Sequence, residues 1–318
     1  MAIWRQPARI TRLTITAAVA AASAALAVVP VVTASAATQP QRPARIAQAG
    51  ASAADQQAAA NKALVLYFYD QLFNHGNLSV IDKYIGSTYI QHNPTVANGA
   101  AALRQLVVST RKQFPNGHNY VERALAEGDL VLLQSHVVSV PGTTGLAIDD
   151  IFRVVGGKIV EHWDTIESVP ATTASGNDLF AQLSSPKNTS APPAVMALDE
   201  GIVMNYFTDV MQVHDLSAIG RYVSGSLYQH DPALRNGAAA LKQYYTALYQ
   251  QHPEFNASVA QVVADGDLVA VHSHYRDSPS DLGQSVYDIF RVVGGKIVEH
   301  WDVVQAVPPT SANNNTMF

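Results

Sequence analysis

Residues Asp150–Asp164 and Asp288–Asp302 are the same fifteen letters, DIFRVVGGKIVEHWD, 138 positions apart. The offset also carries Asn98–Leu103 onto Asn236–Leu241, Gln91-His92 onto Gln229-His230, Gly128-Asp129-Leu130 onto Gly266-Asp267-Leu268, and His136 onto His274. No gap is needed from about residue 61 to 169. A period this long exceeds any solenoid unit, so the chain holds two copies of one whole domain. Whatever one copy folds into, the other folds into as well.

The segments outside the copies have a different composition. Arg5, Arg9 and Arg12 precede an Ala/Val-rich stretch from Leu13 to Val32, and Ala34-Ser35-Ala36 supplies a small-x-small site. These are the three parts of a Sec-type signal peptide, with cleavage expected after Ala36 and the mature chain secreted or held at the cell surface. Retention as a membrane anchor is the other reading, because the stretch is about long enough to span. Residues 37–55, 171–196 and 309–318 are rich in Ala, Gln, Pro, Ser, Thr or Asn and read as spacers. The expected layout is a signal peptide at 1–36, a disordered linker at 37–55, domain one at 56–170, a linker at 171–196, domain two at 197–308 and a tail at 309–318. The net charge of −5 gives no general attraction to phosphate backbones, so nucleic acid is not an expected partner. Cysteine is absent, which excludes disulfides and thiolate chemistry.

Within each copy, helical spacing precedes strand patterns. Leu64, Tyr67, Phe68 and Leu72 fall on one helical face, and Ile202, Tyr206 and Val210 repeat it. A short helix is predicted over Leu78–Ile85 and a third over Gly99–Phe114, followed by strands at Tyr120–Ala126, Leu130–Val138, Leu146–Val155 and Lys158–Ser168. Gly156-Gly157 joins the last two as a hairpin. Helices followed by a meander predict an α+β domain, three helices covering one face of a curved antiparallel sheet.

Alternation along the strands selects candidate chemistry. Leu130, Leu132, Gln134 and His136 share a face, and Asp150 shares one with Phe152; Asp288, Phe290 and His274 repeat the pattern. A carboxylate at an apolar strand near an imidazole is an acid/base pair if both face one pocket. Strand capping or pairing with an arginine is the structural alternative. His92 and His230 each precede Asn-Pro or Asp-Pro, which ends an element and lets polar side chains point into a pocket, or serves turn chemistry alone. His162 and His300 sit beside Trp163 and Trp301, whose expected role is packing. His230, His272 and His274 form a three-nitrogen set, but Gln134 replaces His272 in copy one, so no metal site is expected.

Tyr-x-Gln-His-(Asn/Asp)-Pro, the strand His, and Asp-Ile-Phe-Arg…Gly-Gly-Lys-Ile-Val-Glu-His-Trp-Asp together resemble the SnoaL-like polyketide cyclases of the nuclear transport factor 2-like superfamily. The resemblance implies two cone-shaped α+β barrels in tandem, each with an apolar pocket. It implies intramolecular aldol chemistry or isomerisation of a small carbonyl compound without cofactor or metal. Asp150 with His136, and Asp288 with His274, are then the catalytic pairs; Gln91, His92, Gln229, His230, Asp231 and Tyr69 line the substrate. In ketosteroid isomerase, of the same superfamily, a tyrosine and a general base match Tyr69 and Asp231, and the other copy has Phe207 and Asn93 there. Copy two has the fuller set of ionisable groups, so if one domain alone is active the second is the expected one. A non-catalytic small-molecule-binding module is the alternative. Domains of this superfamily pair through their sheets, so an intrachain pseudo-dimer or a homodimer is expected.

Overall fold

A computed structural model of the chain describes residues 52–183 and 191–318. The expected signal peptide and nearly all of the first linker lie outside the described residues.

Helix α1 (Ala53–Tyr69) opens on a capping box. Ser52 Oγ accepts the Asp55 N–H at 3.1 Å and the Asp55 carboxylate accepts the Ser52 N–H at 2.9 Å. The helix widens into a π-helical turn at Asp70–Asn74. There follow α2 (Ser79–Tyr84), β1 (Ile85–Gln91), α3 (Ala100–Gln113), β2 (His118–Glu127), β3 (Leu130–Val138), β4 (Leu146–Val155) and β5 (Lys158–Ser168). The second copy repeats this order with α4 (Pro193–Tyr206), its own π turn, α5 (Ile219–Tyr222), β6 (Val223–Gln229), α6 (Ala238–Gln251), β7 (Asn256–Asp265), β8 (Leu268–Arg276), β9 (Gln284–Val293) and β10 (Lys296–Ala306).

The α+β expectation holds, with two corrections. Each sheet has five strands, in the orders β1-β5-β4-β3-β2 and β6-β10-β9-β8-β7, and its first strand runs parallel to its last, so the sheets are mixed. Strand β1 escapes the sequence because Ile-Gly-Ser-Thr-Tyr-Ile-Gln has no clean alternation. The second correction concerns the faces. Val131, Leu133, Phe152 and Val154 pack with Phe68, Tyr69 and Leu72 under the helices. Leu132, Ile151 and Trp163 pack instead against Ala270, Ile289 and Trp301 of the other copy. Both faces of each sheet are therefore buried.

Polar contacts between the sheets come in pairs related by the repeat. Ala126 N–H donates to Asp265 and Ala264 N–H to Glu127; Ile166 N–H donates to Gln305 and Val304 N–H to Glu167. The two copies are joined about a pseudo-two-fold axis.

Two coil segments taken above as spacers are also seated. At the 138-residue offset, Ala174, Gly176, Asn177, Leu179 and Phe180 correspond to Ala312, Asn314, Asn315, Met317 and Phe318, so the duplication extends through them. Each crosses onto the opposite copy. Ala174 N–H donates to Pro232 O and Ala312 N–H to Pro94 O, both at 2.8 Å. Asn177 Nδ2 donates to Gln229 O and Asn236 Oδ1; Asn315 Nδ2 donates to Gln91 O and Asn98 Oδ1. Gly176 and Asn314 both take positive φ, at 76° and 60°, which glycine and asparagine tolerate best. Phe180 and Phe318 then return to stack on His136 and His274 of their own copies. Composition understates such segments because their apolar and hydrogen-bonding partners belong to another domain.

Candidate functional site

Strand alternation places Asp150 and Phe152 on the helix-facing side of β4, while His136 lies on the opposite side of β3. The fold does not bring Asp150 and His136 together, nor Asp288 and His274. His136 Nε2 meets Thr144 O at 2.8 Å and His274 Nε2 meets Leu282 O at 2.8 Å, each ring clasping the hairpin that follows its own strand. The alternation itself is correct; with both faces apolar, it does not reveal which face lies under the helices.

The imidazole that reaches Asp150 belongs to His162, on β5. Its Nε2–H donates to Asp150 Oδ1 at 2.9 Å, and His300 does the same to Asp288 at 2.9 Å. The other ring nitrogen of each faces an amide oxygen, Gln91 Oε1 at 2.9 Å or Gln229 Oε1 at 2.8 Å. Those amides are oriented by backbone: Gln91 Oε1 accepts the Asn93 N–H, and Gln229 Oε1 accepts those of His230 and Asp231. With acceptors on both sides, the ring suits two protons. Burial opposes a charge on His162, but the hydrogen bond it donates to Asp150 and the charges of Asp164 and Asp150 outweigh it, and its pKa is raised. Repeat 1 therefore holds a buried His162–Asp150 pair, 2.9 Å apart, whose surroundings favour a proton on the imidazole. A signal was present: His162 and Asp150 are cross-strand neighbours through the Phe152↔His162 register, legible once the Gly156-Gly157 hairpin is accepted.

The two copies differ around the carboxylate. Asp288 Oδ2 is closed off by the Tyr275 hydroxyl, which donates to it at 2.7 Å. The remaining space beside His300 is about 10 Å³, enclosed by Tyr206, Leu227, Leu241 and Phe290 among others, which is room for about one water. Tyr206 and Tyr245 fill that core and hydrogen-bond each other at 3.0 Å. In repeat 1 the positions of Tyr275 and Tyr245 are Val137 and Val107, and Asp150 Oδ2 is buried. Tyr69 lies beside it: burial first, then the Asp150 charge, raises its pKa well above the phenol's ordinary value. Its oxygen accepts from Asn119 Nδ2 at 3.3 Å, and its own proton is turned toward Asp150.

Asp164 completes this site. Asn93 Nδ2 donates to its Oδ2 at 2.7 Å, while Oδ1 is unpartnered among the described residues. Burial and the Asp150 charge push its pKa up to about 6, against the pull of His162 and Asn93. Its contribution to stability is thus full below the unfolded value of 3.8 and is lost as pH rises through about 6. Asp164→Asn removes that loss. The variant is expected to match the parent near pH 4 and to exceed it by on the order of 2 kcal/mol at pH 8, measured by urea unfolding. A constant difference across pH would refute the assignment.

His92 and His230 are elsewhere, on the inter-sheet side. His92 stacks on Trp163 at 4.7 Å, and its nitrogens meet Thr316 O and Glu161 Oε1. His230 stacks on Trp301 at 4.8 Å and meets Asp178 O and Glu299 Oε1. Neither ring shares a space with Asp150 or Asp288. Asp231 Oδ1 accepts the Ala233 N–H, the turn role its Asp-Pro context allows. Of the residues expected to line substrate, Gln91, Gln229 and Tyr69 stand at the carboxylate–imidazole pairs. Of the histidine set, His272 is buried between the sheets, bonded to Gln261 and Ser285, and burial lowers its pKa to about 3. Among the described residues, the group with three possible ligand atoms in reach is Asp150, His162 and Asp164, within 4.8 Å of one another. A cation there would have to displace the proton that His162 Nε2 already points at Asp150.

Residues 63–174 match the family model of the SnoaL-like polyketide cyclases, and residues 203–300 that of the SnoaL-like domain. The chain belongs to the SnoaL-like family. Its two SnoaL-like domains cover the two copies read from the repeat. Solved structures similar to a single domain include a SnoaL-like polyketide cyclase from Agrobacterium tumefaciens, 13% identical, covering 34% of this chain and 91% of that one at a TM-score of 0.30. An NTF2-like protein of unknown function from Mesorhizobium loti is 24% identical over 36% of this chain and 97% of that one, with a TM-score of 0.31. TsrD from Streptomyces laurentii is 18% identical over 34% and 89%, at 0.30. No curated protein matches the chain significantly.

Proposed function

We propose that the first SnoaL-like domain carries an acid/base site for a small carbonyl compound, and that the second is a filled copy serving as its structural partner. One contrast carries the reading: the Tyr275 hydroxyl donates to Asp288 Oδ2 at 2.7 Å, whereas Val137 stands at that position in repeat 1 and Asp150 is met instead by the Tyr69 phenol. This reverses the preference that a count of ionisable residues gives.

The chemistry follows from the geometry. His162 holds Asp150 Oδ1, so Oδ2 is the atom to take a proton from carbon next to a carbonyl. Tyr69, kept neutral by burial, donates to the enolate oxygen that results. Return of the proton from Asp150, or attack of the enolate on a second carbonyl of the same molecule, gives isomerisation or aldol closure respectively. Neither needs a further reactant.

The test is deuterium exchange at the α-carbon of an apolar ketone, 2-tetralone, followed by NMR in heavy water. Asp150→Asn is expected to lower the exchange rate by a factor of about 10²–10⁴ with the fold retained. Asp288→Asn is expected to leave the rate unchanged. Ketone binding with no exchange above the solvent rate would instead mark the domain as a binding module. Export is part of the same proposal, supported by the Arg5, Arg9 and Arg12 cluster, the apolar stretch and Ala34-Ser35-Ala36; N-terminal sequencing of secreted protein checks it.

A further inference from the structure

The loop that builds the repeat 1 site is held from the far end of the chain. Gln91 orients His162 and Asn93 orients Asp164, and both belong to the segment Gln91–Val96, which starts on the last residue of β1. Besides its bonds within repeat 1, that segment is clasped by residues 312–316. Asn315 Nδ2 donates to Gln91 O at 2.9 Å, and Asn313 Nδ2 donates to Asn93 O at 2.7 Å and to Val96 O at 2.8 Å. Thr316 O meets His92 Nδ1 at 2.6 Å, and Ala312 N–H donates to Pro94 O at 2.8 Å. Asn313 is itself only 7% exposed and Met317 3%. The backbone of the Gln-His-Asn triplet thus receives its side-chain donors from the other repeat.

We propose that residues 311–318 are a positioning element of the repeat 1 site, a strap that repeat 2 supplies and that seats in repeat 1 as a separate peptide ligand would. Asn313 and Asn315 are its positioning residues: they touch no substrate and act through Gln91 and Asn93 on His162 and Asp164. The counterpart strap, with Asn177 and the Asp178 carbonyl, holds Gln229 and His230 of repeat 2, with Ser175 at the position of Asn313. Loss of the tail should therefore disturb one site and spare the other.

The activity arm of the test rests on the acid/base reading of repeat 1, and the docking arm does not. The readout for docking is the ring N–H proton signals of His162 and His300, which a buried imidazole bonded at both nitrogens protects from exchange with water. In the full-length Asn313→Ala/Asn315→Ala variant the His162 signals are expected to disappear and those of His300 to persist. A chain ending at Pro309 should behave alike, and the synthetic peptide Thr310–Phe318 should restore the His162 signals saturably. Exchange of 2-tetralone should fall and recover in step; restored signals without any exchange in the parent protein would remove the catalytic reading and leave the strap standing. Unchanged His162 signals in the double variant, or equal loss from His162 and His300, would overturn the proposal. If the truncated chain fails to fold, the full-length double variant decides alone.

Discussion

Glu299→Ala is expected to cost about 3–5 kcal/mol, and Glu161→Ala only about 1 kcal/mol, although the two residues sit in identical fifteen-residue sequences. The difference is burial. The Glu299 side chain is 0% exposed and bridges His230 at 3.0 Å and Arg291 at 2.8 Å, with the Leu183 N–H donating to it at 2.7 Å. Arg291 in turn meets Asp267 at 2.7 Å, their side chains 4% and 8% exposed. The corresponding Arg153 and Asp129 are 32% and 47% exposed, and Glu161 is 19% exposed. Residues 181–183 lie over the second network, and water screens the first. Removing Glu299 leaves a buried imidazole nitrogen and part of a guanidinium uncompensated. The hydrogen bonds from His230, Arg291 and Leu183 outweigh burial and hold the Glu299 pKa low, so this stabilisation is present above the unfolded carboxylate value and fades on acidification. Guanidinium unfolding of both variants at neutral pH checks the contrast; equal costs would refute it.

Trp301→Ala is the second large effect, at about 3–5 kcal/mol for truncating a fully buried indole. Trp301 is 1% exposed at the centre of the inter-sheet cluster. The Arg123 guanidinium lies 3.9 Å above its ring, His230 stacks on it, and the indole N–H donates to Ala181 O at 3.0 Å. Arg123 is buried, bonded to Gln134, Phe180 O and Ala181 O, and desolvation lowers its pKa to about 10. The indole is part of what makes that charge tolerable. Trp163→Ala should cost less by about 1 kcal/mol, because its nearest guanidinium is 5.4 Å away and its N–H has no partner among the described residues. Thermal and denaturant unfolding of the pair measure the difference.

The helices and the last four strands of each copy were legible because their periodicities are strong and their turns carry glycines: Gly156 and Gly157 sit at φ of 57° and 73°, as the hairpin requires. Strand β1 was not, since it pairs in parallel with a strand about 70 residues later and has a register irregularity within it. At the site, the type of chemistry was readable and the partner was not. Asp150 was singled out by its apolar setting, but His136 was matched to it on a face that turned out to meet the other copy. His162 looked like a packing neighbour of Trp163, whereas adjacent strand residues point to opposite faces, so burial of the indole between the sheets sends the imidazole under the helices.

The crossed straps constrain how such a chain can evolve. After most duplications, one copy is free to decay while the other keeps its task. Here each copy's terminal octet is read by the other copy's turn, so a change at Asn98 or Asn236 must be tolerated by Asn315 or Asn177 across the molecule. On the proposed strap, the core of the second domain can change without harm to the first, whereas Ser311–Phe318 cannot. If the strap is needed there, the two halves are bound to diverge together.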